Sequence, residues 1–233
     1  MRILLTNDDG VQGPGLHALA EIAQRWGDCV VLAPRDHHSG CGHRATTHEP
    51  LELTELKPGW FMLDGTPVDC VRVALAHWGD AFDLVLSGIN EGGNLGCDVY
   101  YSGTVAAVRE AAFLGTPGVA ISQFRRGREI DWQQAQRWAE ASIGSVLEQP
   151  AAAGALWNIN LPDPGDLRGD DLPELVYCDV DDHPLPVKYR EQDGRLHYAG
   201  RYVDRLRTPQ HDVDVCFSGR IRLSQRQVRR GPS

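Results

Sequence analysis

The chain has 233 residues, 42% of them hydrophobic and 24% charged, enough apolar content for one large domain with a substantial core. Its formal net charge of −9 excludes a broad basic surface for nucleic-acid polymers, but not a small phosphorylated ligand held by one cation or a few amides. With no C-x-x-C pair, no basic leader before a long apolar run and no membrane-length apolar stretch, a cytoplasmic protein with reduced thiols and no membrane association is expected.

Arg2 to Thr6 reads as a short buried strand that runs into Asn7-Asp8-Asp9-Gly10. Pro14 to Trp26 follows with apolar residues at helical spacing, and Cys29 to Ala33 reads as a second strand. This strand–helix–strand order predicts a parallel sheet with right-handed crossovers. Arg35 to Glu49 is a long polar connection with four histidines, 37, 38, 43 and 48. Leu51 to Leu56 and Trp60 to Leu63 read as strands joined at Lys-Pro-Gly. Thr66 reads as an N-cap, with Pro67 opening a helix that runs to Trp78. Asp83 to Leu86 reads as a core strand, followed by a Gly- and Asn-rich loop beginning Ser87-Gly88-Ile89-Asn90. Thr104 to Leu114 reads as a helix, Val119 to Ser122 as a strand, Asp131 to Leu147 as an amphipathic helix and Leu156 to Leu161 as a further strand. Composition changes after Pro162. Residues 162–173 read as a linker, an Asp-Gly turn marks a hairpin near residues 186–199, and residues 211–225 read as a last helical turn or strand pair before a loose tail. The expected organisation is a catalytic α/β core over residues 1–162 and a β-rich extension over 163–233 involved in oligomerisation.

In an open parallel sheet, ligands bind at the carboxyl ends of the strands. Three Gly-punctuated polar loops converge there: Asn7 to Gly10, the His-rich loop with Ser39, and Ser87 to Asn90. Two adjacent carboxylates repel each other and resist burial, and a divalent cation relieves both problems. Asp8, Asp9, Ser39 and Asn90 offer the all-oxygen donors that Mg²⁺ or Mn²⁺ favours. The same Asp-Asp-Gly also reads as a turn with an Asp cap. Ser102-Gly103-Thr104 opens a helix and offers amides and hydroxyls to a phosphate, or a plain N-cap. A loop histidine, with His43 as the candidate, offers a proton donor. No G-x-G-x-x-G or P-loop is present, and Asn7 stands where a covalent aspartyl nucleophile would be needed.

With these loops assembled, the chain resembles the SurE family of survival-protein, metal-dependent nucleotidases. The resemblance is carried by MRILLTNDDG, VVLAP with Ser39-Gly40, DGTPVDCV, DLVLSGIN and YSGTV, in order over residues 1 to about 122. It implies a three-layer α/β sandwich with a mostly parallel, Rossmann-like sheet. It implies a phosphomonoesterase acting on nucleoside 5′- and 3′-monophosphates, with one Mg²⁺ or Mn²⁺ per subunit on Asp8, Asp9, Ser39 and Asn90. Phosphate contacts fall on Asn94, Ser102, Gly103 and Thr104, and a homodimer or homotetramer that exchanges C-terminal segments is implied. Cys97 stands where the family has an Asp, and the His-rich loop keeps His43 without the family's Ser-Leu-Thr. Two rivals stay open: a phosphatase of another phosphomonoester or of polyphosphate, and a non-catalytic nucleotide or metal sensor.

Overall fold

A computed structural model describes residues 1–79, 82–149, 154–163, 165 and 171–228. Nine strands form one sheet in the order β3-β4-β2-β1-β5-β6-β7-β11-β8. The strands are β1 (Arg2–Thr6), β2 (Asp28–Pro34), β3 (Leu53–Lys57), β4 (Trp60–Leu63), β5 (Leu84–Glu91), β6 (Gly118–Gln123), β7 (Ala155–Leu161), β8 (Leu175–Tyr177) and β11 (Ile221–Gln227). From β4 to β7 every neighbouring pair is parallel; at the two ends of that run, β3 joins β4 and β11 joins β7 antiparallel.

Central strands are buried on both faces, so they read as apolar runs rather than alternations. In β1, Ile3 and Leu5 face a core built with α1 (Pro14–Ala23) and α5 (Trp132–Leu147). Leu4 faces the opposite core, with α2 (Pro67–His77) and α4 (Gly103–Leu114). Two helical layers therefore sandwich the sheet. Trp138, 1% exposed, fills the α5 side of the first core. The expected three-layer α/β sandwich with a mostly parallel sheet is what the chain adopts.

Local signals placed most elements, and the exceptions are instructive. The expected capping box of α2 forms: Thr66 Oγ1 accepts from the Asp69 N–H at 3.2 Å, and the Asp69 carboxylate accepts from the Thr66 N–H at 2.9 Å. Helix α1 ends at Ala23, short of Trp26, and α4 begins at Gly103 with Ser102 as its N-cap. A further short helix, α3 (Asp98–Tyr101), precedes it. Strand β5 does not end at Leu86: Ser87 to Asn90, expected as loop, continue the strand to Glu91. Its pairing with β6 breaks after Ser87 and resumes at Asn90, opposite Ser122. Such an irregularity re-aims side chains at a sheet's edge.

The C-terminal segment returns to the core sheet. Helix α6 (Asp212–Phe217) leads into β11, which lies between β7 and β8. The expected hairpin forms as β9 (Tyr189–Gln192) and β10 (Arg195–Tyr198), with Asp193 and Gly194 both at positive φ, as an Asp-Gly turn requires. It pairs with no other strand among the described residues. Much of the expected linker at 162–173 and the tail at 229–233 lies outside the described residues.

Candidate active site

The chain builds outward from β1 through β2 to β4 on one side, then returns to β5 and builds outward through β6 and β7 on the other. Strands β1 and β5 are therefore neighbours whose connections diverge, and the crevice at their carboxyl ends is where such sheets bind ligands. Asp8 and Asp9 leave β1 there, and Asn90 lies there, one residue before the end of β5.

Asn7 sets the turn. Its side-chain N–H donates to the Gly10 carbonyl at 2.8 Å, and the residue is 1% exposed. Asp8 is buried, and its Oδ1 accepts from the Thr104 hydroxyl at 2.6 Å. The Thr104 backbone N–H also bears on this carboxylate, so the N-terminus of α4 is aimed at Asp8. Burial still pushes the Asp8 carboxyl up, with these hydrogen bonds opposing it. Burial, then the charge of Asp8, pushes Asp9 up to about 6. Asp9 accepts from the Glu91 N–H at 3.3 Å and lies 3.3 Å from His37 Nδ1.

Asn90 is buried and donates its side-chain N–H to the Gly92 carbonyl at 2.7 Å, which turns its carbonyl oxygen away from that contact. Ser39 is exposed on the loop after β2. Its neighbour His38 donates its backbone N–H to the Asp8 carbonyl at 2.7 Å, which ties the loop to the carboxylate turn. The donor chemistry fits a divalent cation: two adjacent carboxylates that resist ionisation as they stand, an amide and a hydroxyl, all oxygen.

Gly103 shows why the hydroxyl–Gly–hydroxyl triplet has its central residue. A Cβ there would lie 2.8 Å from Asp8 Cβ and 3.0 Å from Cys41 Sγ, so only glycine lets α4 approach so closely. Ser102 is the N-cap and accepts from the Val105 N–H at 3.0 Å. Asn94 sits in a buried amide network. It donates its side-chain N–H to Ser122 Oγ at 2.8 Å and its backbone N–H to Asn160 Oδ1 at 2.7 Å, and its carbonyl accepts from Asn158 and Asn160.

His43 is not among the groups facing Asp8 and Asp9. Its Nε2 lies 2.8 Å from Glu110 Oε2, beside the later turns of α4, and Glu110 also accepts from Arg72 at 2.9 Å. His37 is the imidazole beside the carboxylates. Glu110 lies about two turns along α4 from Gly103, so the histidine it holds ends away from the carboxylates at the helix start.

Sequence reading missed the supports of the loop between β5 and α4. Tyr202 donates its hydroxyl to Asp98 Oδ2 at 2.5 Å, and Arg205 donates to the same oxygen at 2.8 Å and to the Leu95 carbonyl at 3.1 Å. Asp212 accepts from the Gly96 N–H at 2.7 Å and pairs with Arg222 at 3.3 Å. The only advance signal was the polar pair Asn158 and Asn160, two apart in an apolar strand and so on one face. The cluster Asp181, Asp182 and His183 groups metal-ligand types elsewhere. Asp181 is already satisfied there: Oδ1 accepts from the His183 N–H at 2.9 Å and Oδ2 from the Thr208 N–H at 2.6 Å.

The profile of the survival protein SurE family matches residues 3–182. This chain belongs to the SurE family. A relative from Nostoc sp. is 47% identical over 231 residues, covering 98% of this chain and 100% of its own. The 5′-nucleotidase SurE of Moorella thermoacetica is 36% identical over 239 residues, covering 96% of this chain and 89% of its own. In three dimensions, the SurE protein of Aquifex aeolicus superposes with a TM-score of 0.80 at 30% identity, covering 97% of this chain and 93% of that one. No helix among the described residues is long and apolar enough to cross a membrane.

Proposed function

We propose that this SurE chain is a cytoplasmic phosphatase that releases phosphate from nucleoside 5′-monophosphates, and from 3′-monophosphates, with one Mg²⁺ or Mn²⁺ per subunit. The observation that carries the reading is the meeting of Asp8, Asp9 and the α4 N-terminus in the β1/β5 crevice, with Thr104 bonded to Asp8 at 2.6 Å. Asp8, Asp9, Ser39 and Asn90 would hold the cation. When bound, it supplies Lewis-acid polarisation of a phosphoryl oxygen and activates water. Asn94, Ser102, Gly103 and Thr104 place the phosphoryl group, with the amides opening α4 stabilising charge on its oxygens. Asn7 is an amide held to Gly10, so this chain offers no carboxylate nucleophile at that position and water is the attacking group. We assign no proton transfer to His43, which Glu110 holds away from the carboxylates. The six cysteines are all free, in keeping with a reducing compartment.

Assembly belongs to the same reading. The β9–β10 ribbon exposes Tyr189, Leu196 and Tyr198, and an isolated two-stranded ribbon is marginal in water. We assign it, as part of the 163–233 extension, to contact with a second copy in a homodimer or homotetramer.

Phosphate release from AMP and p-nitrophenyl phosphate, with and without Mn²⁺, tests the activity. Turnover is expected to stop on chelation and to return with the cation. Equal turnover after chelation, or full activity in Asp9→Ala, overturns the reading.

A further inference from the structure

An open cavity of about 440 Å³ lies at the carboxyl edge of the sheet, on the α2 side of Asp8. Its walls are the loop after β2 and the turn between β4 and α2, including His38, Arg44, Thr47, His48, Glu49 and Asp64. The volume suits a small organic ligand. His38 joins it to the candidate active site, because it lines the cavity while its backbone N–H holds the Asp8 carbonyl.

The cavity wall is fixed. Thr66 Oγ1 donates to the Arg44 carbonyl at 2.6 Å. Asp69 accepts from the Thr46 N–H at 2.7 Å and from its hydroxyl at 2.8 Å. Both anchors are capping groups of α2, so the backbone on either side of Ala45 is tied to a helix. The Arg44 side chain is left over. It is exposed and has no hydrogen-bond or ion-pair partner among the described residues. Its charge nevertheless reaches both His38 and Cys41, which flank Asp8 and Gly103.

The chemistry of the wall selects among ligands. Glu49 and Asp64 repel a second phosphoryl group and suit the hydroxyls of a sugar, as carboxylates do in nucleotide sites. A planar, unpaired guanidinium on a fixed backbone suits the face of a heteroaromatic base. We propose that this cavity is the nucleoside subsite and that Arg44 is its specificity-determining residue, stacking on the base while the phosphoryl group lies at Asp8 and the α4 N-terminus. The proposal rests on the phosphatase reading above.

The test compares AMP with ribose 5-phosphate, which keeps the sugar and phosphate and lacks the base. With saturating Mn²⁺, kcat and KM are measured for the full chain, Arg44→Ala and Arg44→Lys. In Arg44→Ala the AMP to ribose 5-phosphate ratio of kcat/KM falls about tenfold, through KM for AMP. Arg44→Lys keeps the charge, loses the plane and falls with it. An unchanged ratio in Arg44→Ala, or full rescue by Arg44→Lys, overturns the assignment while turnover of ribose 5-phosphate leaves the phosphatase reading standing. Absence of phosphate release from either substrate in the unaltered chain refutes the phosphatase reading, and the subsite with it.

Discussion

Asp9 shows a residue whose burial works against the fold and for the site. Its carboxyl is pushed from 3.8 up to about 6 by burial and by the charge of Asp8. For a carboxylate raised in this way, the cost to stability is absent below the ordinary value, grows as pH rises from 3.8 toward 6 and is complete above it. Asp9→Asn is therefore expected to raise the melting temperature of the chelated protein by a few degrees at pH 7 and not at pH 3.5, while abolishing turnover. Thermal melts at the two pH values check it. Gly103→Ala places a Cβ 2.8 Å from Asp8 Cβ, which must push α4 and the carboxylate apart. Phosphate release from AMP is expected to fall about a hundredfold with the circular dichroism spectrum unchanged. At this scale the candidate site was partly legible. Asp8, Asp9 and Asn90 announce themselves because carboxylates and amides are out of place at the ends of apolar strands. That Thr104 serves Asp8, and that His43 turns to Glu110, depends on how α4 lies across the sheet, which no local pattern records.

At the scale of elements, α2 ties two things together. Thr66 caps the helix at Asp69 and holds the Arg44 carbonyl, so one hydroxyl secures both a helix end and the loop of the cavity. Thr66→Ala is expected to lower stability by about 1 kcal/mol in urea unfolding and to raise KM for AMP severalfold. An unchanged KM would show that the loop does not depend on the cap. The capping box was readable because its residues are three apart and the chemistry is local. The extension of β5 was not. Gly and Asn are poor strand formers, so a reading by propensity stops at Leu86. The strand continues because Asn90 and Glu91 find pairing partners in Ser122 and Gln123 on β6, a reward that exists only once the sheet is built.

At the scale of the molecule, the parallel core and its crevice were legible from element order, while the return of the chain's end was not. Strand β11 inserts between β7 and β8, and Arg205 meets Asp98 across 107 positions of sequence. The hairpin is the part of this segment that the sheet does not use. Deleting residues 187–199 is expected to reduce the mass seen by light scattering to that of a smaller assembly, with the sheet retained because β7 and β8 still hold β11. An unchanged mass would remove the ribbon from the interface.

Tyr202, Arg205 and Asp212 clasp the loop that carries Asn94 and leads to Ser102. Asp212 in turn is paired with Arg222, close to the end of the chain. During synthesis, the carboxylate turn and α4 emerge well before the clasp, since Arg205 follows Asp98 by 107 positions. A chain synthesised only as far as β7 thus carries every candidate site residue before it carries the side chains that hold the Asn94 loop.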